Sequence, residues 1–201
     1  MTTVLLVRHA SHDLLGRILA GRAPAVLLNS EGRHEAAELA TRLARLPIAA
    51  VYTSPRERAH ETAAPLCEQL GLTAHSTEAF DEIDFGTWTG QAFTELESEE
   101  EWRVWIDERT RAVVPGGETI GAVQQRIFAE LIRVAASHPG ETIVVVSHGD
   151  VIKAALAKFL GLSLDNLERF DVAPASVSVV VIGDGWSQVR SINAFASPIH
   201  H

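Results

Sequence analysis

Two short apolar runs in this chain lead directly into histidines. The run over residues 3–7 is followed by Arg8 and His9, and the run over 143–146 is followed within two residues by His148. Continuous apolar runs of this length are typical of buried parallel strands. Because ligands bind beyond the carboxyl ends of the strands in open α/β sheets, we expect the two histidines to share one pocket.

Strands and helices alternate along most of the sequence. Segments with alternating or continuous apolar residues, which predict strands, are separated by segments whose apolar residues recur at helical spacing. Predicted strands cover residues 3–7, 49–52, 72–75, a run that ends at 146, 177–182 and 188–192, and predicted helices cover 32–46, 57–70, 93–109, 119–137 and 150–160. This alternation predicts a single α/β domain over residues 1–201. Its expected architecture is a three-layer α/β/α sandwich on a mostly parallel mixed sheet that ends in a hairpin.

The second helix has a recognisable start in the segment Ser54-Pro55-Arg56-Glu57. It combines a serine that can cap, a proline suited to the first helical position and a glutamate that completes a capping box. This start places Arg58 in the first turn, close to the end of the preceding strand. Residues 81–90 are rich in glycine and acids, and they predict an irregular loop.

Composition limits the classes of partner. A net charge of −9 disfavours nucleic acids and acidic membranes as partners. No apolar run approaches the roughly 18 residues of a membrane span, and Arg8 interrupts the first apolar run, so a signal peptide is not expected. We therefore predict a cytoplasmic protein.

The single cysteine, Cys67, excludes an internal disulfide and is expected to be buried in a helix. The sequence does not distinguish a native tail from an added one at His200 and His201.

Arg8, His9 and His148 have the chemistry of a phosphate site. A lone histidine at a strand end is most often bonded to backbone, but a guanidinium beside it requires an anionic partner. Neutral imidazole is a competent nucleophile near neutral pH. Gly149 allows the backbone to approach a ligand, and the helix that follows offers free N–H groups to an anion. These features favour a phosphate ester, which one imidazole attacks while the cations hold its oxygens.

Arg58 and Glu82 are candidates for the same site. A helix N-terminus disfavours a cation, so an arginine in the first turn indicates a nearby anion. We expect the neighbouring Arg56 to be exposed. Glu82 lies in the acidic loop, where a carboxylic acid of raised pKa could protonate a leaving oxygen. Asp81 and Asp84 compete for that role on position alone.

Other chemistries have weak support in the sequence. It contains no His-Glu-x-x-His or His-x-His spacing for a metal, no nucleotide-binding glycine loop and no Gly-x-Ser-x-Gly elbow. We predict no metal site, and we expect His60, His75 and His138 to be surface or packing residues. Trp102 and Trp105 are expected to pack in the core, with the wall of a substrate pocket as the alternative.

Five short motifs occur in a fixed order along nearly the whole chain. They are Arg8-His9-Ala10, then Thr53-Ser54-Pro55 with Arg58, Ala59 and Thr62, then Glu82 with Gly86, Trp88 and Gly90, then Pro115-Gly116-Gly117-Glu118, and finally Ser147-His148-Gly149. Together they resemble the histidine phosphatase superfamily, also called the phosphoglycerate mutase-like family. The set is highly specific, although each motif alone is not. The chain is most similar to an actinobacterial branch of that family often labelled phosphomutase.

The resemblance implies a phosphoglycerate mutase-like fold and a role for each site residue. His9 would be the nucleophile that becomes phosphohistidine. Arg8, Arg58 and His148 would complete the phosphate pocket. Glu82 would be the general acid and then the base that activates water, a role that spacing alone leaves open among the acids of the loop. The resemblance implies no metal or other cofactor.

The chain departs from the family pattern at two positions near the nucleophile. Ala10 replaces a family glycine, and a family asparagine expected about six residues after the nucleophile falls on Leu15. One phosphate contact therefore has to be replaced. Ser11, His12 and Gly21 are the candidates to replace it.

These observations predict a metal-independent phosphatase that acts on a small phosphorylated metabolite. A phosphoglycerate-type phosphomutase on the same scaffold is the first alternative, although mutases of the family usually carry extra segments. A phosphate-binding module without catalysis is the second, and the five filled catalytic positions disfavour it. A homodimer is expected only from the resemblance. The sequence does not identify the ester, whose selection should depend on the pocket rim around residues 11–22 and 93–111.

Overall fold

The computed structural model describes residues 1–194, so His200 and His201 lie outside the described residues. Six strands form one sheet: β1 Thr2–Arg8, β2 Ile48–Thr53, β3 Ala74–Ser76, β4 Thr142–Ser147, β5 Val177–Ile182 and β6 Ser187–Ala194. The α-helices are α1 Ser30–Leu43, α2 Glu57–Leu70, α3 Phe93–Leu96, α4 Glu100–Asp107, α5 Ile120–Ser137 and α6 Gly149–Leu160. Short 3₁₀ helices cover Glu78–Phe80, Gly86–Trp88 and Leu164–Arg169.

The sheet is mixed, in the order β3-β2-β4-β1-β5-β6. Strand β4 lies between β1 and β2 and is parallel to both, and β3 adds to β2 in parallel. Strand β5 is antiparallel to β1 and pairs with β6 in the terminal hairpin. The predicted mixed sheet is confirmed, and it aligns the carboxyl ends of β1, β2 and β4 along one edge.

Helices cover both faces of the sheet, because alternate strand residues point to opposite sides. Val4 and Leu6 of β1 belong to the apolar core that contains the buried faces of α5 and α6. Leu5 and Val7 belong to the core formed with α1 and α2. The predicted three-layer α/β/α architecture is confirmed.

Two predicted helices have different bounds in the structure. The helix predicted over 32–46 begins at Ser30, because the Asn29 side chain accepts a hydrogen bond from the Gly32 amide, and it ends at Leu43. The helix predicted over 93–109 is divided into α3 and α4. The Ser98 hydroxyl, between them, donates to a carbonyl of the preceding turn, which competes with continuation of the helix.

The other predicted elements agree with the structure within two residues at each end. Cys67 lies on α2 as a free, buried thiol, as expected. The loop predicted over 81–90 contains a single 3₁₀ turn. None of the helices in the described part of the chain combines the length and apolar character of a membrane span.

Helix α1 packs directly on the backbone that follows His9. A Cβ atom added at Gly32 would lie 2.0 Å from the Ser11 carbonyl oxygen, a distance that side chains essentially never show. The backbone contact requires glycine, even though Gly32 lies in a helical first turn. This contact fixes the segment that carries the nucleophile candidate against α1.

We predict that Gly32→Ala lowers the free energy of unfolding by about 1–3 kcal/mol, because overpacking displaces backbone. Gly121→Ala is the matched control: it lies in the first turn of α5, where the nearest atom to an added Cβ is 4.0 Å away. That variant should instead gain up to about 1 kcal/mol from the lost freedom of glycine. Urea unfolding measures both, and equal stability of the two variants would contradict the prediction.

Candidate active site

The two histidines predicted to share a pocket are neighbours in the structure. His9 follows β1 and His148 follows β4, and these strands are paired in parallel. Their ring centroids are 5.1 Å apart, and both side chains are buried. Parallel pairing therefore delivers both imidazoles to the same edge of the sheet.

His9 presents an unprotonated nitrogen to the cleft. Its Nδ1 lies 2.8 Å from the Ala10 carbonyl oxygen, which can only accept a hydrogen bond, so Nδ1 carries the proton. Burial holds the pKa of His9 well below its usual value, and the guanidinium groups of Arg58 and Arg8 lower it further. The ring is therefore neutral, and the lone pair of Nε2 is free to attack.

The two arginines are anchored by backbone carbonyls and retain unused N–H groups. Arg8 Nη1 donates to the Val172 carbonyl at 2.7 Å, and Arg58 Nη2 donates to the Gly21 carbonyl at 2.8 Å. The Nε of Arg8 and both Nε and Nη1 of Arg58 are buried without a hydrogen-bond partner in the described residues. Buried cationic donors without partners are costly, so the cleft is arranged for an anion that supplies acceptors.

Gly149 makes room for the Arg8 guanidinium. An added Cβ at Gly149 would lie 3.2 Å from Arg8 Cζ and Nε, closer than most real contacts. Gly149 is also the first residue of α6, whose free N–H groups and dipole favour an anion. The glycine therefore allows a guanidinium and a helix N-terminus to approach the same space.

Glu82 is a mostly buried carboxyl group beside His148 and Arg58. Its Oε2 lies 3.4 Å from His148 Nδ1 and 3.6 Å from Arg58 Nη2. Burial raises the pKa of Glu82 to about 7, although the nearby Arg58 charge partly opposes the shift. A carboxyl group with this pKa can give and take a proton near neutral pH.

The competing aspartates are engaged elsewhere. Asp81 is buried and accepts hydrogen bonds from the Ser54 hydroxyl at 3.1 Å and the Glu82 amide at 2.8 Å. Asp84 accepts from the Gly86 amide at 2.9 Å. Of the three acids, Glu82 is the one that lines the cleft.

The structure corrects the expectations for Ser54 and Arg56. Helix α2 begins at Glu57 without a side-chain cap, so Ser54 is not its cap. The Ser54 hydroxyl instead lies 2.7 Å from His148 Nε2 and bonds Asp81. Arg56, expected to be exposed, is mostly buried with its Nε 3.0 Å from Asp81. The buried Asp81 charge attracts both groups, because it needs partners away from water.

These contacts fix the tautomer of His148. Arg58 Nη2 lies 3.2 Å from His148 Nδ1 and is always a donor, so Nδ1 accepts. Nε2 then carries the proton and donates to Ser54. Burial and the Arg58 charge hold the pKa of His148 well below its usual value. The imidazole is neutral and held at both nitrogens.

Of the candidates to replace the family asparagine, His12 has the most suitable position. It lines the cleft with its ring centroid 5.2 Å from that of His9, and its buried Nδ1 has no hydrogen-bond partner in the described residues. Ser11 is held away by Glu35 through its amide and hydroxyl. Gly21 lines the cleft, and its carbonyl accepts the hydrogen bond that anchors Arg58. Leu15 lines the cleft as an apolar residue.

Two arginines that were not predicted from the sequence hold the acid loop. Arg22 Nε and Arg126 Nη2 both donate to the Glu82 carbonyl oxygen, at 2.8 Å and 3.1 Å. The Glu118 carboxylate joins them, accepting from Arg22 Nη2 at 2.7 Å and Arg126 Nε at 3.0 Å. Glu118 belongs to one of the recognised motifs, but no local pattern indicated the two arginines.

The cleft extends from these groups to an apolar wall and a second set of charges. It encloses about 240 Å³. Trp102 and Trp105 are buried and also line it, so the expectation that they pack in the core is confirmed and they wall the pocket as well. The remaining side chains of the wall include Leu15, Ile18, Phe85, Phe93, Ile106, Arg109, Asp150 and Lys153.

His9, Glu82 and His148 also offer ligand atoms that all lie within 4.8 Å of one another, a spacing that could hold a metal ion. Two guanidinium groups, of Arg8 and Arg58, line the same cleft. Their positive charges oppose a cation there and favour an anion. The arrangement fits a phosphate group better than a metal.

Three known proteins show what the chain is similar to. It is 30% identical to phosphoserine phosphatase 1 of Hydrogenobacter thermophilus, over 96% of this chain and 92% of that protein. It is 34% identical to a protein of Mycobacterium tuberculosis named as bifunctional, over 96% of this chain but only 54% of that longer protein, so the chain spans about half of it. The structure of a phosphoserine phosphatase from Entamoeba histolytica with 3-phosphoglyceric acid matches with a TM-score of 0.85 and 26% identity, over 96% of this chain and 98% of the other.

The family model that matches is that of the histidine phosphatase superfamily, branch 1, over residues 4–194. The match includes Arg8, His9, Arg58, the acid loop and His148. The chain therefore belongs to branch 1 of the histidine phosphatase superfamily.

Proposed function

We propose that this chain hydrolyses a small phosphomonoester through a phosphohistidine formed on His9, without a metal ion. The observation that carries the proposal is the meeting, in one buried cleft, of an unprotonated imidazole nitrogen, partnerless guanidinium N–H groups and a carboxyl group of pKa about 7. The similarity to a named phosphoserine phosphatase over nearly the whole chain supports it.

In the first step, His9 Nε2 attacks phosphorus from the side opposite the ester oxygen. The N–P bond forms while the bond from phosphorus to the ester oxygen breaks, and protonated Glu82 gives its proton to the leaving alcohol. Arg8 and Arg58 donate to the other phosphoryl oxygens, where charge lies in the transition state. His148 joins them from Nδ1 as an imidazolium, a form that the negative charge of the bound phosphate favours over the neutral ring of the free enzyme. His12 and the N-terminus of α6 at Gly149 add contacts to the same oxygens.

In the second step, the Glu82 carboxylate takes a proton from a water molecule. The water oxygen attacks phosphorus, the N–P bond breaks, and inorganic phosphate leaves with the bonding pair returned to His9. The cycle needs Glu82 as an acid in one step and a base in the next. A pKa of about 7 serves both roles near neutral pH.

We further propose that the enzyme is a single cytoplasmic domain that acts on a small metabolite. We take residues 1–201 as one domain, since the family match reaches residue 194. The small cleft and the acidic molecule suit a small phosphorylated metabolite rather than a nucleic acid. A free cysteine without a disulfide partner is consistent with the cytoplasm.

Replacement of His9 tests the nucleophile. We predict that His9→Ala lowers phosphate release from a panel of phosphomonoesters by a factor on the order of 10³ or more, in excess chelator, because no other group can form the covalent intermediate. His60→Ala is the control, an exposed histidine of α2 that does not line the cleft. Absence of release from every ester by the wild type would contradict hydrolysis and favour the mutase or the non-catalytic module.

Replacement of Glu82 tests the proton donor. We predict that Glu82→Gln lowers kcat/KM for an alkyl phosphate by about 10²- to 10⁴-fold, the usual contribution of a general acid. The loss should be far smaller for 4-nitrophenyl phosphate, whose leaving group needs no proton. An equal loss with both esters would assign Glu82 to binding instead.

The pH dependence follows from the same group. The pKa of Glu82 is raised to about 7, so the acid form is lost as the pH rises through that value. We predict that kcat/KM of the wild type for alkyl phosphates falls above about pH 7, and that the fall is absent in Glu82→Gln. A pH profile with the same alkaline limb in both enzymes would contradict this assignment.

A further inference from the structure

Two basic side chains of the cleft take no part in the proposed mechanism. Arg109 follows α4 and is 3% exposed, and Lys153 lies on α6 and is 8% exposed. Both line the same cleft as His9 and Glu82. Buried cations on a substrate wall need anionic partners, so their present partners indicate what this wall can bind.

Both cations hold the same carboxylate, that of Glu168. Its Oε1 lies 2.6 Å from Arg109 Nη2, and its Oε2 lies 3.2 Å from Lys153 Nζ. Glu168 belongs to the 3₁₀ helix Leu164–Arg169, its side chain is 55% exposed, and it does not line the cleft. The cations are therefore arranged around one carboxylate, which reaches them from the solvent side.

Several contacts hold the Arg109 guanidinium in place, but one of its N–H groups has no hydrogen-bond partner among the described residues. Its Nη1 donates to Asp150 at 2.9 Å, and its guanidinium lies 5.1 Å from the centre of the Trp105 ring. Its Nε is buried without a hydrogen-bond partner among the described residues, although Nε and Nη2 form one edge of the guanidinium plane. Glu168 occupies only half of that edge, whereas a carboxylate facing it squarely would accept both N–H groups.

This second set of charges adjoins the phosphate pocket. Asp150 holds Arg109 and directly follows Gly149, which packs against the Arg8 guanidinium. Lys153 lies one helical turn further along α6. One short helix segment thus connects the two groups of cations, and both groups line the same cleft.

We infer that Arg109 and Lys153 form a carboxylate subsite, and that the ester hydrolysed by this enzyme carries a carboxylate on its leaving group. The inference rests on the proposed phosphatase function. Glu168 occupies the subsite in the free enzyme, and the substrate carboxylate replaces it. Glu168 is the exposed partner, at 55%, so its carboxylate can be hydrated when another carboxylate takes its place on the two buried cations. A carboxylate tethered through its bound phosphate has a high effective concentration at the subsite.

Two pairs of esters that differ at the carboxylate test the subsite. O-phosphoserine is compared with phosphoethanolamine, which lacks only the carboxylate, and 3-phosphoglycerate is compared with glycerol 3-phosphate, where an alcohol replaces it. We predict that kcat/KM of the wild type favours the carboxylate member of a pair by about 10- to 100-fold, as a charged hydrogen-bonded contact provides.

Variants of the subsite should remove this preference selectively. Arg109→Met and Lys153→Met should each lower the preference by about tenfold. For phosphoethanolamine and glycerol 3-phosphate, which lack the carboxylate, kcat/KM should stay within about twofold of the wild-type value. Glu168→Gln should lower KM for the carboxylate esters only. Arg111→Met and Lys158→Met are matched controls, since both side chains are exposed and neither lines the cleft.

The outcomes separate the subsite from a purely structural network. Equal kcat/KM for both members of each pair in the wild type, or a preference unchanged in Lys153→Met and Glu168→Gln, would overturn the subsite while hydrolysis stands. Those two variants carry the test if Arg109→Met does not fold. Absence of phosphate release from all four esters and from 4-nitrophenyl phosphate would overturn the phosphatase function itself.

Discussion

The parallel pairing of β4 between β1 and β2 is the constraint on which the site depends. Its register aligns Arg8 with Ser147 and Thr53 with Val146, so three strands end at the same level. The chain leaving each strand then enters the cleft: the nucleophile candidate after β1, the start of α2 after β2 and the second histidine after β4. A shift of one residue in any of these pairings would turn a site residue to the opposite face.

Desolvation then gives each group its working protonation state. Burial, together with the nearby charges of Arg58 and Arg8, holds the pKa values of His9 and His148 well below their usual value, so both rings are neutral. The same burial raises the pKa of Glu82, despite the nearby guanidinium. Around His9, the cleft therefore holds neutral imidazoles, a carboxyl group of pKa about 7 and two guanidinium groups that each keep N–H groups without acceptors. In the proposed mechanism, a phosphoryl group supplies the missing acceptors and negative charge. The same excess of positive charge would then bind the substrate and stabilise the transition state.

The sequence was sufficient for residues whose position follows from one local element. His9 and His148 each follow an apolar strand, and strand ends converge by a general rule of α/β sheets. The place of Glu82 could not be derived in this way, because its loop is held by Arg22 and Arg126, which are 60 and 44 residues distant. Such contacts leave no periodic signal, and only the resemblance to a family selected Glu82 among the acids of its loop. The unpredicted residues are those whose side chains bond a segment that is distant in the sequence.

If His9 carries the phosphoryl group during turnover, a variant that forms the intermediate but hydrolyses it slowly should hold the phosphoryl group long enough to locate it. Glu82→Gln should accept phosphate from labelled 4-nitrophenyl phosphate and hydrolyse the intermediate slowly, so that rapid quenching and peptide mapping can locate the label. We expect label on the peptide that contains His9, in a bond that is stable to alkali and lost in mild acid, as is typical of phosphohistidine. Label on another residue, or none on the protein while 4-nitrophenol is released, would contradict it.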